Sequence, residues 1–243
     1  MTRDHFWRIL ETMTVDDVPL SPTERTVVMR GRNRAGLERS MLLDVLRSAR
    51  ICHIGVIVAG VPRVVPTVFG VDPAGPDREG TLYLHGSVAS RSMLDAPGQD
   101  ICVTMTVVDG LVLARSAFHH SMNYRSAVLV GRPRRVEDAD ERIRALDAIV
   151  DQVVPGRSAH LRSHTRKELA ATAVLALPMY EASVKSRTGG PVDDDIDVQQ
   201  GDVWAGVVPV WEALGDAEPA VDLAEDFPVP DHVDHMCRNA MRA

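Results

Sequence analysis

Along "LERSMLLDVLR", residues 37–47, apolar side chains recur at Leu37, Met41, Leu42, Val45 and Leu46, which predicts a helix with one face on a core. From residue 51 the helical period stops. "ICHIGVIVAG" and "VPRVVPTVFGV" are short β-rich runs, and a tight Gly-Val-Pro turn between them predicts a hairpin. "GTLYLHGS" follows a Pro/Gly/Asp loop and predicts a third strand, and "SRSMLDA" a short helix stopped by Pro97 and Gly98. "DICVTMTVVDG" and residues 124–136 supply two more strands. Asp138 is the expected N-cap of a helix over "DADERIRALDAIVDQVV", with Ile143, Leu146, Ile149 and Val150 on one stripe. "TRKELAATAVLAL" reads as a helix running into a strand, "PMYEASVKSRTG". The acidic "DDDID" reads as a loop, "WAGVVPV" as a last short strand, and everything after Trp211 as a weakly patterned tail.

Short strands at close spacing, with few helices between them, predict a mainly β (α+β) antiparallel barrel with peripheral helices rather than a doubly wound sheet. The expected organisation is an arm over residues 1–36, one domain over 37–210 and a tail over 211–243. Neither GxGxxG nor GxxxxGK[ST] is present, and GxSxG and HExxH are missing too, so nucleotide-loop, hydrolase and zinc-protease readings have no motif to rest on.

Composition narrows this little. Of 243 residues, 45% are hydrophobic and 25% charged, the balance of a globular protein, and no apolar run is long enough for a membrane-spanning helix. The N-terminus has no signal-peptide pattern, which makes the cytoplasm the expected location. A net charge of −7 argues against a nucleic-acid partner despite basic clusters at residues 30–34 and 132–135. Three cysteines make neither a disulfide framework nor a zinc pattern, and Cys52 and Cys102 read as core filling.

Three segments place polar residues inside otherwise apolar strands. In "VPRVVPTVFG", Arg63 is followed by Pro66 and Thr67, and a proline there belongs on an edge strand because it lacks a ladder donor. In "LYLHGSVASRSML", Ser87, Ser90 and Arg91 arrive together at a helix start, a set suited to a phosphate. "SAFHHSMNYRS", residues 116–126, is a polar knot between two apolar strands. Adjacent strand residues point to opposite faces, so His119 and His120 do not converge on one metal ion, and no metal site is expected.

Taken together, "ICHIGV", "VPRVVPTVFG", "LYLHGSVASRS", "VTMTVVDGLVLARSAFHHSMNYRSAVLVGRPR" and "WAGVVPV" resemble the FMN-binding split-barrel superfamily of pyridoxamine 5′-phosphate oxidase. The nearer likeness is to its branch of flavin-nucleotide-binding proteins related to nitroimidazole-resistance reductases. The resemblance runs from about residue 30 to 210. It implies a six-stranded split β-barrel that forms a homodimer with two FMN molecules between the subunits. Ser90 and Arg91 would hold the FMN phosphate with Ser87, and Arg63 would compensate in part for Ser92, which stands where the oxidase has lysine. Val65, Pro66 and Thr67 would lie along the isoalloxazine edge. His85 matches the reductases' active-site histidine, and with Tyr124 it is a candidate proton donor. Asn123, Tyr124, Arg125 and Ser126 would come from the partner subunit, and Trp204 would pack near the ring. Lys185 and Arg187 would meet an anionic substrate or the flavin tail.

The implied function is an FMN-dependent oxidoreductase reducing a small organic acceptor. The oxidase reaction itself is disfavoured, because "SVKSRTGGPVDDD" lacks the arginine-histidine pair for the substrate phosphate. The rival reading is a non-catalytic flavin- or haem-binding module, with His53, His85, His119 or His120 as an axial ligand. A third option is the deazaflavin F420, whose acidic tail would need a basic mouth such as Arg32, Arg34 and Arg39.

Overall fold

The computed structural model describes residues 20–240 apart from 22 and 225, so most of the expected N-terminal arm lies outside the described residues. Two antiparallel sheets share the chain. Strands β1 (Cys52–Val58), β2 (Val61–Thr67), β5 (Ile101–Leu113), β6 (Ser121–Gly131) and β9 (Ala182–Arg187) make the first in the order β2-β1-β5-β6-β9, and β10 (Gly206–Pro209) pairs with the far half of β5. Strands β3 (Phe69–Asp72), β4 (Thr81–Ser87), β7 (Arg134–Arg135) and β8 (Thr172–Pro178) make the second in the order β3-β4-β8-β7. This is the mainly antiparallel, split-barrel arrangement expected. The ten strands exceed six because the run at 61–72 splits at Val68 and passes from one sheet to the other, and short pieces such as β7 and β10 extend the edges.

The first hairpin turns on Ala59 and Gly60, both at positive φ (52° and 77°), rather than on Gly-Val-Pro. A two-residue turn of this hand matches the twist of the strands, and β1 and β2 pair along their whole length, from Val58↔Val61 to Cys52↔Thr67. β2 is an edge strand, as Pro62 and Pro66 require.

Helix α1 (Arg39–Ser48) lays Leu42, Val45 and Leu46 on the main core, where Phe69, Leu82, Leu84, Val103, Met105 and Leu129 are buried; Leu37 stays exposed. The short α2 (Arg91–Asp95) adds Met93 to the same core. Helix α3 (Ala139–Val153) covers the other face of the second sheet, burying Ala145, Leu146 and Ile149 against Tyr83 and Ala176. Ile143, expected on that stripe, is 39% exposed. Asp138 caps α3 as predicted, accepting from the Glu141 N–H at 2.7 Å. Within the basic cluster at 132–135, Arg134 is held by Asp77 and Glu141, so it ties the 72–80 loop to α3.

Three elements differ from expectation. The helix at 166 ends early: α4 (Arg166–Ala171) is closed by a Thr165–Glu168 capping box, and "TAVLALP" is strand β8, buried on both faces. "DDDID" opens α5 (Asp195–Gln200), and the tail contains α6 (Asp231–Ala240). Both helices carry acidic residues in the first turn, Asp195 and Asp197 in α5 and Asp231 and Asp234 in α6, where the helix dipole favours them. Cys52 is fully buried and burial pushes its thiol up to about 12, so it is inert filling; Cys102 is half-buried. No helix among the described residues is long and apolar enough to cross a membrane.

Candidate functional site

The expected site residues fall into three groups. The first lies at the corner where the two sheets meet. Phe69 pairs with Leu84 at the start of β3, and Val68 joins that strand to Pro66 and Thr67 of β2, which pair with His53 and Cys52 of β1. Ser87 then turns the chain: the Ser90 N–H bonds its carbonyl at 2.9 Å, its Oγ accepts from the Ala89 N–H, and Ser90 Oγ lies 2.9 Å from Ser92 Oγ. Gly86 is small because a Cβ would stand 2.8 Å from Met93 Cγ, so glycine lets α2 close down on β4. The turn thereby presents two hydroxyls and the exposed Arg91. Arg63, also exposed, stands opposite Val56 on β2, and β1 is the strand on which α2 packs. Val65 and Thr67 are half-buried on the same side of β2 as Arg63.

His85 belongs to this corner but faces α3's side of the sheet, opposite Val174. Burial pushes its imidazole below the usual histidine range, so the ring is neutral at pH 7. Its Nδ1 is buried without a hydrogen-bond partner, which leaves it to be satisfied by something outside the described chain. A neutral imidazole is a poor acid but a good hydrogen-bond or metal ligand.

The second group lies across the sheet. Tyr124 and Ser126 share one face of β6, opposite Arg187 and Lys185 of β9. Asn123 and Arg125 point to the other face and are engaged within the chain. Asn123 accepts from Arg187 and donates to the Gly189 carbonyl at 3.1 Å. Arg125 makes a two-pronged pair with Asp109 (3.1 and 2.9 Å) and reaches Asp44 of α1 at 2.6 Å. Asp109 is aimed by the irregularity in β5 between Val108 and Gly110. Arg125 also walls a cavity of about 650 Å³ between the end of α1 and residues 209–212.

Trp204 makes the third group. It is 67% exposed and folds over Gly206, whose Cβ would stand 2.8 Å from the ring. β10 pairs at Leu113 and β1 at Val103, so Trp204 sits ~30 Å along β5 from the first group. β2 and β9 are four strand spacings apart, ~19 Å along the sheet. The three groups thus stand on different strands, apart along the sheet.

The polar knot has a role that the strand pattern did not show. Arg115 grips Asp193 through its backbone N–H (2.8 Å) and Nη1 (2.7 Å), and His119 Nε2 stands 3.4 Å from Asp194. Arg187 donates to Asn123 and to the carbonyls of Gly189 and Gly190. The knot thus pins the acidic 189–194 loop to the tip of the β5–β6 hairpin. His119 ends a 3₁₀ turn, Ala117–His119, rather than lying on a strand, and it and His120 have different partners, Asp194 and the Ser116 carbonyl. The basic mouth suggested for a deazaflavin loses Arg39, which is buried and donates to the Met179 and Tyr180 carbonyls under α1. These partners lie far along the chain, so no local motif announces them.

Comparison with known proteins accords with this architecture. The flavocytochrome Anf3 from Azotobacter vinelandii is 36% identical over 89% of this chain and 98% of its own, with a TM-score of 0.80. An FAD- and haem-binding protein from Mycobacterium smegmatis is 36% identical over 84% of this chain and 97% of its own, with a TM-score of 0.76. A protein described as a 5-nitroimidazole antibiotic resistance protein from Bacteroides thetaiotaomicron shares the fold at 24% identity, covering 62% and 85% of the two chains, with a TM-score of 0.50. No curated protein sequence matches significantly. The family profile described as pyridoxamine 5′-phosphate oxidase matches residues 38–186, more than half of the chain, and the protein therefore belongs to the pyridoxamine 5′-phosphate oxidase family.

Proposed function

We propose that this chain is a flavin-binding redox protein that works as a homodimer and passes electrons from the flavin to a small acceptor. The observation that carries the reading is the similarity, over nearly their whole length, to two solved proteins named for a flavin and a haem. The corner of the two sheets supports it, since Arg63 and Arg91 stand exposed beside Ser87 and Ser90. Two guanidiniums and hydroxyls at a chain turn suit the 5′-phosphate common to FMN and FAD. In this reading β2 offers the open edge of Val65–Thr67 to the ring, and Pro66 keeps that edge from pairing with another strand. Tyr124 and Ser126 come from the second copy, because within one chain they are a sheet's width away. A bound flavin supplies one- and two-electron transfer; the protein supplies anchoring, orientation and exclusion of water.

Haem is the second reading. The two 36% identical proteins carry it in their names, and His85 has a buried, unpartnered nitrogen on a ring that burial holds in the neutral form, the form that binds iron.

The visible spectrum of the purified protein tests both readings. A flavin spectrum that is lost in Arg91→Ala supports the phosphate assignment. A Soret band lost in His85→Ala supports the haem reading. Protein that retains neither group after reconstitution overturns the function proposed. Co-expression tests the shared site: if each site takes residues from two copies, mixing Arg91→Ala with Ser126→Trp restores about a quarter of the flavin. No recovery would mean that each site lies within one copy.

A further inference from the structure

Past the end of α3 the chain makes a tight polar turn, and the C-terminal tail folds back against it. Asp151 holds this turn, accepting from the Ser158 N–H and from its hydroxyl, both at 2.8 Å, and the His160 N–H bonds the Arg157 carbonyl at 3.0 Å. Arg157 and His160 are thereby fixed, and α6 brings His232 to them. The His160 and His232 rings stack at 4.2 Å with 11° between their planes, and Arg157 Nη1 stands 3.5 Å from His232 Nε2. These three side chains make no ion pair with an acid among the described residues, whereas His119 and His164 face Asp194 and Asp147. Partial burial, and then His160 and Arg157, hold the His232 imidazole below the usual histidine range, with Asp231 opposing them. The cluster is short of negative charge.

Arg157 and His160 also form the polar end of a cavity of about 460 Å³, a size that suits a small molecule. The other walls come from the tail. Leu223, Phe227 and Val229 line this one space and stay exposed, Phe227 by 58%. Apolar residues scattered over a surface mean little, but a set gathered on one cavity marks a place where something apolar is bound. Pro219, Pro228 and Pro230 stiffen the same wall, so a ligand has little chain left to order. Glu218 borders the cavity as well, without an ion pair to Arg157 among the described residues.

We infer that this cavity, between the 154–160 turn and the tail, binds a small carboxylic acid with an apolar body. The carboxylate lies on Arg157 and His160, and the hydrocarbon lies against Phe227, Leu223 and Val229. A planar guanidinium takes a carboxylate through two parallel hydrogen bonds, which suits the polar end. A bare inorganic anion would satisfy that end and leave the apolar wall wet, so the wall selects an acid with a hydrocarbon part. That wall lies beyond residue 186, outside the segment that the family profile matches. The inference does not depend on the flavin reading.

Calorimetric titration of the full chain with 2-naphthoate, 2-naphthamide and acetate tests the site. Naphthoate is expected to bind about ten-fold more tightly than the uncharged amide, and to exceed acetate by at least as much. Arg157→Gln is expected to bring naphthoate down to the level of the amide, and Arg157→Lys, which keeps the charge without the paired geometry, to recover part of the loss. Leu223→Asn should weaken naphthoate and leave acetate unchanged, and a melting curve on each variant shows that it is folded. Three results would overturn the inference: no saturable naphthoate binding, equal binding of the amide, or a naphthoate affinity that neither Arg157→Gln nor Leu223→Asn alters. Acetate binding as tightly as naphthoate would overturn the assignment of an apolar acid.

Discussion

Gly70 has no room for a side chain: a Cβ would stand 2.7 Å from the backbone nitrogen of Ile149 and 2.9 Å from the carbonyl carbon of Ala148. Both obstacles are backbone atoms of α3, so Gly70→Ala has to push the helix off β3, and about 1–3 kcal/mol of stability is expected to go. Gly86→Ala meets the flexible Met93 side chain instead and should lose less; denaturant unfolding of the two variants decides the order. Tyr83 gives a second residue-scale prediction. Burial, with the Glu141 carboxylate 3.1 Å from its hydroxyl, pushes its phenol up to about 12. The folded protein therefore keeps this proton where the unfolded chain, near 10, has lost it. Stability is expected to fall between pH 10 and 12, and Tyr83→Phe should flatten that fall; urea midpoints across this range measure it.

At the scale of elements, one residue closes the start of α3. Asp138→Ala removes the acceptor for the Glu141 N–H and is expected to lower stability by about 1 kcal/mol, read from the urea midpoint. Asp138→Asn should retain most of it. The clamp between the β5–β6 tip and the 189–194 loop makes a different kind of prediction. Arg115→Ala removes the side-chain half of the hold on Asp193, so the glycines at 189 and 190 should become a site of protease nicking while global stability changes little. Equal nicking in both proteins would show that Asn123 and Arg187 hold the loop without help.

For the whole molecule, the expected outcome is a dimer in solution by light scattering. The edge strand β2 leaves Val61 57% and Val64 69% exposed, and in the shared site proposed above Tyr124 and Ser126 would come from another copy. Val64→Asp is expected to weaken the dimer and to lower flavin retention along with it. A monomer that keeps its flavin would sink the shared-site proposal.

Much of the architecture was legible in the residues themselves. The period-3.6 pattern at 37–47, the alternating runs from 51 onward, the Asp138 cap and the prolines of an edge strand report local preferences, which act over a few neighbours and survive without knowledge of the fold. The resemblance carried by "LYLHGSVASRS" and its companions placed the chain in its family. What the pattern could not carry was anything settled between distant segments. "TAVLALP" is equally apolar as helix or strand, and only the pairing of β8 with β4 makes it strand. Arg39, an exposed cation by composition, is drawn under α1 because two carbonyls 140 and 141 residues away accept its hydrogen bonds. The polar knot at 116–126 looked like a ligand site because its partners, Gly189 and Asp194, are also remote, as is Asp193, which the flanking Arg115 holds. Sequence by itself determined which stretches form elements and which residue types stand ready for an anion. Tertiary structure alone decided which of those residues meet, because hydrogen bonds and charge pairs act through space over a few ångströms, whatever the separation along the chain.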